Sequence, residues 1–270
     1  MSKRKKGEGT DFWAKVGGSL VAGGAFVKDH ARDLYESIDP DVRRHLLQMP
    51  LLSYSLLGSR DDPVEPGEPD GHPPLVFVHG LGGSRGDFML MSWYLWFHGR
   101  KRSYRIHFER RQDIPEMARA LASFVRKVKK ATREPRVDIV AHSLGGVVTR
   151  VALARNRLGT SVATVVTMGS PHHGTWSARY ASTVKTRELR PDSEFIREIN
   201  EKPWPKKVKV FNFFSSNDLL ITPHESAVTD GAVHVDMSPA THYDYLLERT
   251  CWTRVRKALE DGLKPNPDRG

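Results

Sequence analysis

Ala141-His-Ser-Leu-Gly145 sets a single hydroxyl between small residues, directly after the apolar run Val137–Val140 and directly before a stretch with helical spacing. A serine in that setting has the pattern of a nucleophile. A sharp strand-to-helix turn lifts its oxygen above the sheet edge, and the crowded turn tolerates little bulk two residues to either side. The helix that begins there aims its first backbone N–H groups and its positive dipole end at the same point. Ser143 is therefore the first candidate, and the chemistry it points to is covalent acyl transfer. Ala141 stands where G-x-S-x-G has a glycine, and taken without its flanks the pentapeptide also reads as a plain helix start.

A serine hydroxyl is a weak nucleophile at neutral pH. It needs a base to take its proton and a carboxylate to hold that base in the useful tautomer. Where a strand-to-helix elbow carries the serine, the chain order is serine, acid, histidine, each on a loop after a later strand. Asp218 follows the apolar run Val208–Phe214 and is the expected acid, with Asp230 and Asp236 as lesser candidates. His242 follows Val233–Met237 in Ser238-Pro-Ala-Thr-His242 and is the expected base. Eleven other histidines compete with it. His142 is turned elsewhere by the elbow, His172 and His173 follow an earlier strand, and His224 and His234 come too soon after Asp218.

An acyl intermediate also needs donors for its oxyanion, typically worth about 3–4 kcal/mol each. Gly80-Leu-Gly-Gly83 follows the apolar run Leu75–Val78 and His79, at the strand end where open α/β sheets hold ligands. The backbone amides of Leu81 and Leu144 are the expected donors, although a glycine turn without chemistry has the same composition. This loop lacks the third glycine of G-x-G-x-x-G, so no nucleotide cofactor is implied. No metal is expected either, because His172 and His173 have no second ligand set and Cys251 is the only cysteine.

These residues require strands to end at them. The runs Leu75–Val78, Arg105–Phe108, Val137–Val140, Val162–Met168, Val208–Phe214 and Val233–Met237 read as buried strands. They alternate with helical patterns at Asp87–Phe97, Ile114–Ala131, Gly145–Arg155, Ser193–Ile199 and His242–Leu259. That alternation implies an α/β fold with a mostly parallel sheet and helices on both faces. Asp87–Phe97 is apolar on nearly every side, which favours a buried helix over an acyl-pocket wall. Thr175–Pro205 has the length of a small lid.

Residues 1–60 are expected to form a basic helical extension, either braced on the main domain or lying on a membrane surface. Residues 61–74, rich in Pro, Gly and acid, read as an exposed linker, and 75–270 as the catalytic domain. Four basic residues at positions 3–6 followed by the weakly apolar Val16–Val27 imitate a secretion signal. Its glycines, the interrupting Asp11 and Lys15, and Lys28-Asp29-His30 in place of a cleavage site argue against one. The segment is too short to span a bilayer, so a cytoplasmic or peripheral membrane location is expected. The net charge of +10 attracts anionic partners in general, without a feature for specific nucleic-acid recognition.

In combination, FVHGLGG (77–83), VDIVAHSLGGVVTR (137–150), VTMGSPHHGT (166–175), RELRPDSEFIREIN (187–200), SSNDLLITPHESA (215–227) and THYDYLL (241–247) resemble the bacterial lipase and esterase branch of the α/β-hydrolases, including triacylglycerol lipases and inositol-deacylase-like proteins. The resemblance spans Pro74 to Leu259. It implies the α/β-hydrolase fold, a lipid or small-molecule ester as substrate, and the same roles for Ser143, Asp218, His242, Leu81 and Leu144. Gly169–Gly174 resembles the loop that shapes the pocket wall in such lipases. A thioesterase or acyltransferase would use the same residues, and a membrane-surface protein would depend on the basic amino-terminal segment.

Overall fold

The computed structural model describes residues 61–264 apart from Ala181, together with 38–40, 42–44 and 48. The expected helices of Asp11–Leu57 and the apolar stretch Val16–Val27 fall almost wholly outside the described residues. The chain divides into two units, Met1–Leu46 and Leu47–Gly270, and the fold below is that of the second.

Six strands, β1 (Leu75–Val78), β2 (Ser103–Arg105), β3 (Val137–His142), β4 (Val162–Met168), β5 (Lys209–Phe214) and β6 (Val233–Asp236), pair in parallel in the order β2-β1-β3-β4-β5-β6. The helices are α1 (Met89–Phe97), α2 (Ile114–Thr132), α3 (Leu144–Arg155), α4 (Val184–Glu188), α5 (Glu194–Asn200), α6 (Asp244–Leu247) and α7 (Arg249–Leu263). Strand alternation assigns the two sheet faces. Val76, Val78, Ile139 and Ala141 pack with Met117, Leu121 and Val125 of α2 and Val147, Val148 and Val151 of α3. Leu75, Phe77, Val140 and Val166 pack with Met91 and Leu95 of α1 and Val255 and Leu259 of α7. Burial on both faces is why these strands are mostly apolar.

The chain leaves β1 outward to β2 and then returns to β3 on the other side, so β1 and β3 flank a topological switch point. Val78 is in register with Ala141, which sets the loop after β1 beside the turn after β3. This is the place where such sheets bind ligands.

Several expectations change in the structure. β2 is Ser103–Arg105 in place of Arg105–Phe108, because ladder bonds and not hydropathy decide where a strand ends. Ile106 and Phe108 remain buried, but the Phe108 N–H turns to the His79 ring and the His107 N–H to the Asp61 carboxylate. β6, expected as buried, is a largely exposed strand that, among the described residues, pairs only with β5. The helix expected over His242–Leu259 starts at Asp244 and breaks at Glu248, whose backbone is extended (φ −96°, ψ 128°). The Trp252 indole N–H donates to the Leu246 carbonyl at that break, at 3.0 Å. α1 is not a buried helix: Trp93, Trp96 and Phe97 face solvent.

The acid-rich segment 61–74 is mostly exposed but held by charge. Asp62 pairs with Arg105 at 2.7 Å and Arg85 at 2.9 Å, and Asp70 pairs with Arg102 at 3.3 Å. Arg100 and Asp138 form an almost fully buried ion pair at 2.8 Å. No described helix is long and apolar enough to cross a membrane.

Candidate active site

Ser143 sits at the junction of β3 and α3 with φ 55° and ψ −126°, a left-handed backbone rarely adopted by a residue with a side chain. Such a conformation costs about 1–3 kcal/mol and persists only where its surroundings enforce it. Here the Ser143 N–H donates to the Met168 carbonyl (2.9 Å) and the Gly146 N–H to the Ser143 carbonyl (3.0 Å). Gly145 lies so close to β1 that a Cβ would collide with the Val78 and His79 carbonyl oxygens. The small-residue pattern read from the sequence thus has its cause in backbone crowding against the neighbouring strand.

Ser143 opens into a cavity of about 710 Å³ that His242, Leu81 and Leu144 also line. Leu144 is the first residue of α3, where a helical N–H has no carbonyl one turn earlier to bond. Gly82 takes a left-handed φ of 71°, and Ser84 and Asp87 cap each other's backbone at the start of the following turn. These two features hold the Gly80–Gly83 loop against the elbow. The rest of the lining is mainly apolar and includes Leu220, Ile221 and Leu246. Ala178 and Leu189, from the segment expected to form a small lid, also line it.

His242 lies on the loop before α6, almost fully buried, with Nδ1 2.8 Å from Asp218 Oδ2 and 3.0 Å from Oδ1. A carboxylate only accepts, so Nδ1 carries the proton and Nε2 keeps its lone pair. Asp218 Oδ1 also accepts the backbone N–H groups of Leu220 (3.0 Å) and Ile221 (3.1 Å), which fixes the carboxylate in place. The alternatives are elsewhere: Asp230 is exposed, and Asp236 caps the Ser238 N–H at the end of β6. Gly169 lies beneath the pair in a left-handed conformation (φ 52°). A Cβ there would come within 2.7 Å of Asp218 Oδ2 and 2.8 Å of the Tyr245 ring.

Two buried histidines have structural roles that the sequence reading did not assign: it only turned His142 away from the serine and gave His79 none. His142 Nε2–H donates to the backbone carbonyl of His242 at 3.0 Å and so links the elbow to the loop carrying His242. His79 Nδ1–H donates to the Gly80 carbonyl (2.9 Å) while Nε2 accepts the Phe108 N–H (3.1 Å), tying the segment after β2 to the glycine loop. A histidine ending each of two apolar strands was the available signal. Gln48 was also missed. Its side chain donates to Asp244 (2.5 Å) and accepts from Thr241 (2.9 Å), bracing both flanks of His242. The His172 ring is turned inward to Thr167 at 3.2 Å, and His173 is exposed. Among the described residues there is no cluster of His, Cys, Asp or Glu able to hold a metal ion.

Residues 72–255 match the lipase (class 2) family. The chain belongs to that family. This class 2 lipase relative is a carboxylic ester hydrolase with the α/β-hydrolase fold. Its fold is similar to that of the mature form of Bacillus licheniformis lipase BlEst2. The TM-score is 0.65 at 22% identity, over 73% of this chain and 96% of that one. It is also similar to Aspergillus fumigatus lipase B, with a TM-score of 0.61 at 17% identity, over 70% of this chain and 53% of that one.

Burial holds His79 near a pKa of about 4, aided by the charges of His107 and Lys185, and pushes His142 well below the ordinary histidine value. His79 must stay neutral for Nε2 to accept the Phe108 N–H, and burial disfavours the charged form of His142, so protonation of either ring favours the unfolded chain. The His79 contribution is complete above about pH 6.5 and is lost as pH falls toward 4, which amounts to about 3 kcal/mol. Urea midpoints measured at several pH values between 7.5 and 4.5 are expected to fall less steeply for His79→Asn than for the wild type. Parallel slopes would remove His79 as a source of the acid sensitivity.

Proposed function

We propose that the cavity hydrolyses carboxylic esters of apolar acids, including lipid or acylglycerol esters, with Ser143 as nucleophile, His242 as general base and Asp218 as its orienting partner. The observation that carries this reading is the buried His242–Asp218 pair, which leaves Nε2 as a proton acceptor in the cavity onto which the elbow places Ser143. As Ser143 Oγ bonds to the ester carbonyl carbon, its proton passes to His242 Nε2 and the carbonyl electrons move onto oxygen. The amides of Leu81 and Leu144 receive that oxyanion. Its collapse expels the alkoxide, which takes the proton from His242 and leaves an acyl-Ser143. Water, deprotonated by His242, then attacks the acyl carbon, and the acid departs as Ser143 regains its proton. The residues require no cofactor for these steps.

The apolar lining supports an acyl chain over a charged one, since burying unpaired charge there is costly. The test is covalent: a fluorophosphonate is expected to modify one serine, located by peptide mass at Ser143, and to abolish turnover of p-nitrophenyl butyrate and octanoate together. Modification at another residue with loss of activity would overturn the assignment. A thioester turned over at a far higher kcat/KM than the matching oxygen ester would move the substrate class to thioesters, and acyl transfer to added alcohol in preference to water would make it a transferase.

A further inference from the structure

α1 has the sequence MLMSWYLWF, without one charged residue, yet it does not lie inside the protein. Helical geometry puts Met89, Trp93, Trp96 and Phe97 on one arc, with Leu90 at its margin. Trp93 is 57% exposed, Trp96 47% and Phe97 77%, while Met91, Ser92 and Leu95 on the opposite arc are buried. A contiguous exposed apolar face of this kind marks an interaction surface.

The margin of that face says what it fits. Tyr94 turns toward α7, its ring 5.8 Å from that of Trp252 and its hydroxyl 3.0 Å from Thr253 Oγ1, with the Arg256 side chain hydrogen-bonded to it. Arg249, Thr253 and Arg256 follow one another at four and three residues along α7 and therefore share a stripe beside the aromatic arc. Lys257 is exposed next to them, and Arg256 is shared with Glu260 at 2.6 Å. Exposed tryptophans beside a basic stripe have the chemistry of a membrane–water interface, where indole rings settle at headgroup depth and guanidinium groups meet phosphates. A second copy of this chain fits less well, because a two-fold contact through the same patch would bring the like-charged margins together.

We infer that the outer face of α1, with the basic stripe of α7, docks this protein on an anionic lipid surface. The inference is independent of which ester the cavity cleaves. Asp87, two residues before α1, lines that cavity, so the docked helix is continuous with its wall.

The test is sedimentation of the full chain with vesicles of phosphatidylcholine alone or with 30% phosphatidylglycerol, beside hydrolysis of p-nitrophenyl butyrate in free solution. The wild type is expected to bind the anionic vesicles and to be released by salt. W93S/W96S/F97S is expected to bind at least about tenfold more weakly, and R249Q/R256Q weaker by about fivefold per arginine. Hydrolysis of the soluble ester should be unchanged in both. Vesicle binding undiminished in the aromatic variant would overturn the inference and leave lipid contact to other basic residues, such as those at positions 3–6. So would a wild-type dimer that the aromatic variant dissociates, or tryptophans 93 and 96 already shielded from iodide without lipid. Failure of soluble-ester hydrolysis in the wild type would count against the proposed reaction and not against docking.

Discussion

Ser143→Ala is expected to lower kcat/KM toward p-nitrophenyl esters by about 10⁴ to 10⁶, with the melting temperature held or raised. The loss is large because removal of the oxygen leaves only binding and the oxyanion donors to act on the ester, with no acyl-enzyme. Stability should move the other way. Alanine keeps the turn's small size, and the N–H and carbonyl bonds to Met168 and Gly146 involve only backbone. A folded Ser143→Ala protein within tenfold of wild-type activity would sink the nucleophile assignment, whatever the fate of His242.

Asp218→Asn is expected to lower kcat by about 10⁴ with little change in KM. The argument depends on which atom of the new amide faces His242. The Leu220 and Ile221 N–H groups demand an oxygen at the Oδ1 position, so the amide nitrogen must take the place of Oδ2, 2.8 Å from His242 Nδ1. A donor there forces Nδ1 to accept and puts the ring proton on Nε2, where it points at the serine instead of receiving its proton. Steady-state kinetics beside circular dichroism would separate this from unfolding. Activity within tenfold of wild type would show that the carboxylate does not set the tautomer. The Ser143 and Asp218 results bear on different links: the first asks what attacks the ester, the second what holds the base in its tautomer and aimed.

Much of the fold was legible because its determinants are local. Val137–His142 is buried on both faces and followed by residues too small for anything but a crowded turn, so strand, turn and helix were all readable from ten consecutive residues. The capped start of α2, with Asp113 and Glu116 capping each other's backbone, was equally local. The misread elements are those whose environment is supplied from a distance. α1 reads as buried because every face of it is apolar, but only its inner arc meets the sheet, and nothing in nine consecutive residues says which arc that is. β6 has strand composition, yet its exposure follows from being last in the sheet order. The polar residues of β2 hold ladder positions because the chain at Asp61 and Asp62 returns to bond its outer edge.

At the site the same division holds. By itself the sequence determined the fold class, the elbow at Ser143, the glycine loop after β1 and the short candidate sets for acid and base, since each is a property of neighbouring residues and of their order along the chain. Only the tertiary structure decided that Asp218 and not Asp230 or Asp236 lies against His242, that His142 and Gln48 hold the loop bearing it, and that three aromatic side chains of α1 face outward. Those contacts join residues 24, 100 and about 194 positions apart or set a helix face against a distant sheet. Their geometry comes from strand register and layer packing, which no short stretch of sequence contains.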